Sequence, residues 1–304
     1  MTTAPGAGPP GRPLGPQDTP RWLPPVLLLL LAATLVVAGA AGAARTGAAV
    51  ATAAADGLLT VVLVSPLLVI ALRGVAGAAR TVLALLALIL CSRWALGLPR
   101  VGVFAPLEWN WQGKTLELLW LAALFVCLWR WARQEAGVRW SLEPGSGRAV
   151  APVVVGVFLL SALLSLWALA DQGGQADPVS VERLLFDMGH PNLTEELLVR
   201  GAMLAVLDRA CGTPWRFLGA RVGWGLVLTT SWFGLWHGAV LTGDGFVLDP
   251  GAIVATGAAG LLIGWVRARS GSLWPAYLAH CAPELGLGAA TMVWAALSGA
   301  PVLA

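Results

Sequence analysis

Uncharged apolar runs, broken by short polar or Gly/Pro-rich stretches, set the pattern of this 304-residue chain. Nine runs reach or approach the ~18–20 residues needed to cross the hydrocarbon of a bilayer. They lie at 23–44, 57–72, 79–96, 115–131, 150–170, 194–210, 221–242, 251–267 and 273–298. Turn-forming residues punctuate them, as at Gly97-Leu98-Pro99, Glu143 to Gly147 and Gly243-Asp244-Gly245. No alternating pattern of strand type and useful length is visible, and no internal repeat. The expectation is an all-α fold, a polytopic transmembrane helical bundle of about eight or nine spans. Residues 1–21 are rich in Pro and Gly without an apolar pattern and read as a disordered tail. Accessory helices are expected over 22–148 and a C-terminal core over 149–304.

Composition strengthens the membrane reading. Hydrophobic residues make up 58%, charged residues 12%, and mean hydropathy is +0.77, whereas soluble domains carry about 25% charged residues. The lipid bilayer is therefore the first partner. Basic residues decide orientation: with a cytoplasmic N-terminus, thirteen fall on the cytoplasmic side and five opposite, with Arg200 inside a helix. This predicts a multi-pass protein of the cell membrane. The net charge of +3 comes from arginines at span ends rather than from one stripe, so nucleic acid is not an expected partner. The four cysteines lack metal-ligand spacing. Eight of the sixteen tryptophans fall near expected interfaces, where indoles are favoured.

Charge inside a bilayer costs roughly 2.5–3.5 kcal/mol per residue on insertion scales, so buried ionisable side chains point to function. The candidates gather in the C-terminal third: Glu195, Glu196 and Arg200, then His237, then His280 and Glu284. In HPNLTEELLVRG, residues 190–201, Asn192 can cap a helix with Glu195 as its reciprocal partner. Glu196 and Arg200 have the i,i+4 spacing of an ion pair. Glu195 points elsewhere and lacks a local partner, which disposes its carboxylate to take up a proton as a general base must. Phe233 and His237 share a helix face, as do His280 and Glu284. Ser270-Gly271-Ser272 marks a tight turn before the last helix, and Pro283 bends that helix beside His280. Gly260 and Gly264 have the spacing of close helix contacts.

Three motifs in this order carry a resemblance. EELLVR at 195–200, FGLWH at 233–237 and HCAPE at 280–284 are similar to the EExxxR, FxxxH and HxxxN/D motifs of the CPBP family, also called Abi. These are CAAX-processing and bacteriocin-processing intramembrane proteases. The resemblance implies a catalytic core hydrolysing a peptide bond of a membrane-associated or lipidated, even prenylated, substrate. It implies Glu195 as the activator of water with His237, Glu196 and Arg200 as its orienting pair, Phe233 as support, and His280 with residue 284 as oxyanion stabilisers. Glu284 departs from the motif, because an ionised glutamate only accepts hydrogen bonds. It is expected to accept from His280 and fix its tautomer; donation as a neutral acid and metal ligation are the other two readings. No cofactor is favoured; zinc held by Glu195, His237 and His280 is the alternative. Two other functions compete: a non-catalytic membrane scaffold or immunity factor, and a proton-coupled transporter.

Overall fold

The computed structural model describes residues 12–171 and 180–298. The chain runs through α1 (Leu23–Ala41), α2 (Ala43–Leu72), α3 (Ala78–Gly97), α4 (Trp111–Cys127), α5 (Trp129–Gln134) and α6 (Gly147–Asp171). Then come α7 (Val181–Gly189), α8 (Pro191–Glu195), a π-helical segment (Glu196–Met203) and α9 (Leu204–Cys211). Strands β1 (Trp215–Phe217) and β2 (Ala220–Val222) precede α10 (Trp224–Gly238), and β3 (Ala239–Thr242) and β4 (Gly245–Leu248) follow it. Helices α11 (Pro250–Ser270) and α12 (Leu273–Ser298) complete the described chain.

The molecule is a polytopic helical membrane protein, with two corrections to the expected all-α bundle. First, five helices among the described residues are long and apolar enough to cross a membrane: α1, α2, α3, α6 and α11. The other expected spans fall short for physical reasons. Helix α10 has 15 residues and α4 has 17, while the charged run at 194–210 is divided between α8, the π segment and α9. Helix α12 is long at 26 residues, but His280, Pro283, Glu284 and its glycines dilute its apolarity. Second, two antiparallel hairpins flank α10, with Arg216 opposite Arg221 in one and Val240 opposite Val247 in the other. The expected 221–242 span therefore contains a shorter helix bounded by Gly223 and Gly238.

The main apolar core draws Leu88, Trp120, Leu124, Leu198, Val199, Met203 and Phe233 from α3, α4, the π segment and α10. One face of α6 packs on α12, where Ser161 donates to Pro283 O, and the other stays uncovered by protein: Leu159, Leu160, Leu163 and Trp167 are exposed, as suits a lipid-facing surface. Residues 12–21 belong to the expected tail, yet they lie against the bundle. Arg12 pairs with Glu135, and Arg209 reaches Glu135, Asp18 and the carbonyl of Pro13.

Two local devices set the helices that carry the site. Asp249 caps α11 by accepting from the Ala252 N–H at 3.0 Å, with Pro250 at the first position. Gly271 ends α11 in the left-handed conformation (φ 69°). The turn into α12 is then fixed from the 135–143 segment: Leu273 N–H donates to Gly137 O at 2.9 Å, and Glu143 N–H donates to Ser270 O at 2.8 Å. The expected tight turn at Ser270-Gly271-Ser272 is thus present and held. Gly234 on α10 lies so close to α11 that an added Cβ would meet the Ile253 carbonyl at 2.7 Å. Gly260 faces Phe233 and Gly264 faces Leu226, so both line the α10–α11 contact.

Candidate active site

Helix α8 delivers Glu195 at its last residue, where the backbone passes into the π segment. Such widened turns are rare and recur at functional sites. Asn192 does not cap this helix. His190 occupies the N-cap position, and Asn192 is buried in the first turn, its amide 3.6 Å from the Cys281 sulfur. The expected reciprocal cap with Glu195 is therefore absent, which frees that carboxylate for other contacts.

Glu195 Oε2 faces two imidazoles, with His237 Nε2 at 3.9 Å and His280 Nε2 at 4.0 Å. Each ring is oriented from its opposite nitrogen. His237 Nδ1 lies 2.7 Å from Phe233 O; a carbonyl can only accept, so Nδ1 carries the proton and Nε2 is left as an acceptor. His280 Nδ1 lies 2.9 Å from Glu196 Oε1. That oxygen also accepts from Arg200 at 2.8 Å, with both partners of the ion pair almost fully buried. Arg200 in turn lies over the Phe233 ring, 4.1 Å from its centroid, and reaches Gly260 O at 3.4 Å. Phe233 also touches both rings, with centroids 4.5 Å from His237 and 5.6 Å from His280. The side chain of His237 is 35% exposed against 13–15% for His280 and Glu195, so the site opens on the His237 side.

The structure thus brings together Glu195, Glu196, Arg200, Phe233, His237 and His280 from three separate motifs. Glu284 lies one turn farther along α12. The tautomer-fixing contact expected of it is made by Glu196 instead, and Glu284 Oε2 is buried without a hydrogen-bond partner among the described residues.

A second group of charges was missed in the sequence. Lys114 on α4 lies 3.1 Å from Glu195 Oε1, 3.0 Å from Glu117 and 3.3 Å from Thr194 Oγ1. The expectation of an unpartnered Glu195 is therefore corrected. Glu117 is fully buried and also accepts from Ser92. Nearby, Asp56 on α2 pairs with Arg93 at 2.9 Å and accepts from the Leu241 N–H at 2.7 Å, while Arg93 covers the Trp236 ring. Asp56 and Lys114 lie just outside the expected spans 57–72 and 115–131, and Arg93 and Glu117 lie just inside the ends of 79–96 and 115–131. The available signal was opposite charges on otherwise apolar helices, with Lys114 and Glu117 at i,i+3.

Zinc held by Glu195, His237 and His280 fits this arrangement poorly. Ligand atoms 2.0–2.1 Å from a tetrahedral zinc lie about 3.3–3.4 Å apart, closer than the separations seen here. The Lys114 ammonium already neutralises the same carboxylate. Among the described residues no group of three His, Cys, Asp or Glu is placed to hold a metal ion.

Residues 179–285 match the family described as Rce1-like type II CAAX prenyl endopeptidases. The matched segment contains all three motifs and runs from just before α7 into α12, so the resemblance to CAAX-processing proteases holds over it. No curated protein and no solved structure matches the chain.

Proposed function

We propose that this protein is an intramembrane endopeptidase in which Glu195 activates water against a peptide bond of a membrane-associated, lipidated substrate. Family membership of the matched segment supports protease activity and protein or peptide substrates, with a prenylated C-terminal segment the leading class. The observation that carries the hydrolytic mechanism is the 3.9 Å gap between Glu195 Oε2 and His237 Nε2. Both atoms are acceptors, and a single water donating one hydrogen to each satisfies both. That is how a general base holds a nucleophile.

In the step that follows, the water oxygen bonds to the scissile carbonyl carbon while its proton passes to Glu195. The carbonyl oxygen becomes an oxyanion. His280, donating from Nδ1 to Glu196, can carry a second proton on Nε2 and donate it towards that oxygen. Collapse breaks the C–N bond as Glu195 returns its proton to the leaving amine. Arg200 and Glu196 hold the His280 ring, and Phe233 packs against both imidazoles.

The test uses the full-length chain in lipid vesicles, with an internally quenched peptide ending in a prenylated cysteine tetrapeptide, in water enriched in oxygen-18. Mass spectrometry should find one heavy oxygen in the new carboxylate of the cleaved product. An intact peptide, or a cleaved product without the label, would refute hydrolysis by activated water.

A further inference from the structure

We infer that Lys114, on α4, is a positioning residue of the hydrolytic reaction, holding Glu195 ionised and turned so that Oε2 faces the two histidines. The inference rests on the peptidase reading above and extends it to a helix outside the matched segment.

The geometry separates the two oxygens of Glu195. Oε1 is bound by the ammonium at 3.1 Å, while Oε2 is left towards His237 and His280. A carboxylate on a short helix end has free torsions, and a partner on one oxygen fixes where the other points. Lys114 is itself fixed from two further directions, by Glu117 at 3.0 Å and by Thr194 Oγ1 at 3.3 Å. Glu117 is anchored in turn by the Ser92 hydroxyl of α3. A chain of buried contacts therefore runs from α3 through α4 to the reacting carboxylate.

Charge balance points the same way. Glu196 has its own cation in Arg200, and Asp56 has Arg93. Lys114 is the ammonium set between Glu117 and Glu195, two carboxylates whose side chains are 0% and 15% exposed. If Lys114 served only to neutralise Glu117, three residues away on the same helix, contact with a second carboxylate from another helix would not be required. Its Nζ lies as close to Glu195 as to Glu117, within 0.1 Å.

The experiment compares Lys114→Met, Lys114→Met/Glu117→Gln and Lys114→Arg with wild type. Each full-length chain is reconstituted in vesicles and assayed for kcat and KM on the prenylated quenched peptide, with thermal unfolding measured in parallel. The double variant removes both members of the α4 pair, so α4 itself buries no uncompensated charge and Glu195 is the carboxylate left without its ammonium. The inference predicts that single and double variants both lose kcat by about 10–100-fold with KM within about threefold, as for partners that orient an active group. Lys114→Arg should recover much of that loss. A folded double variant with wild-type kcat overturns the inference, because Lys114 would then matter only to Glu117. Glu195→Gln, run alongside, separates the two levels: full activity there removes Glu195 as the base on which the inference rests, whereas an inactive Glu195→Gln beside a fully active double variant removes only the role of Lys114.

Discussion

Replacing Arg200 by methionine isolates the ion pair that underlies the site. Arg200 and Glu196 meet at 2.8 Å with side-chain exposures of 1% and 0%. Removing the guanidinium leaves a carboxylate with no water around it and His280 as its remaining partner, at 2.9 Å. Breaking a buried pair on one side costs about 3–5 kcal/mol. Loss of the guanidinium over Phe233 adds about 1 kcal/mol, partly offset by sulfur–aromatic contact. At roughly 2–3 °C per kcal/mol, thermal unfolding should fall by about 6–15 °C. The double change Glu196→Gln/Arg200→Met removes both charges and keeps an acceptor for His280 Nδ1. It should regain more than half of the lost stability, since a buried pair exchanged for neutral groups is often close to neutral. Activity should stay low in both: the single variant loses the guanidinium that holds the Glu196 carboxylate in place, and the double variant loses the anionic partner that steadies a protonated His280. Unfolding of the two variants and wild type, in the same detergent or nanodisc, reads the difference directly. A single variant within about 1 kcal/mol of wild type would refute this account of the pair, as would a double variant no more stable than the single.

Other consequences concern different parts of the molecule. Gly234→Ala should destabilise by about 1–3 kcal/mol and lower activity, because its Cβ would press on the Ile253 carbonyl at 2.7 Å and push α10 from α11. Gly257→Ala, whose nearest neighbour is 3.9 Å away, should unfold like wild type in the same melt. His280→Ala should reduce kcat by about 10²–10³-fold with little change in KM, as expected for an oxyanion donor; a KM effect alone would argue against that role. Burial would raise the Glu135 pKa, but bonds from Arg209 and Arg12 outweigh it and hold the group below its ordinary 4.5. A depressed carboxylate stabilises fully above its unfolded pKa, and the contribution disappears as pH falls through the lower folded value. Residues 12–21 should therefore be released to proteolysis as pH drops below about 4.5, and Glu135→Gln should release them at neutral pH.

Much of the site was legible because intramembrane charge is costly: Glu195, Glu196, Arg200, His237 and His280 stand out against apolar sequence and meet in space. Turn chemistry was equally readable at Ser270-Gly271-Ser272, where glycine takes a left-handed conformation. The hairpins were not. The β1–β2 loop is Leu218-Gly219, with positive φ at both residues, and leucine gives no turn signal. The strands beside α10 are three or four residues long, too short for alternation to show. Asp56 and Lys114 escaped because each sits just before a strongly apolar run, where a charge reads as a span end. Their helices begin earlier, at Ala43 and Trp111, and bury them against neighbours that sequence spacing cannot reveal. The role given to Glu284 failed for a similar reason. An i,i+4 neighbour seemed the natural partner for His280, but Glu196, eighty-four residues away, occupies that position.

Whether Glu195 is the base of a peptide hydrolysis is decided by a comparison of two proteins. Wild type and Glu195→Gln are reconstituted in vesicles at equal amounts, shown to unfold at the same temperature, and given the prenylated quenched peptide. Wild type should cleave steadily, and the amide should lose at least about 10²-fold in kcat. Cleavage by Glu195→Gln at the wild-type rate would contradict it.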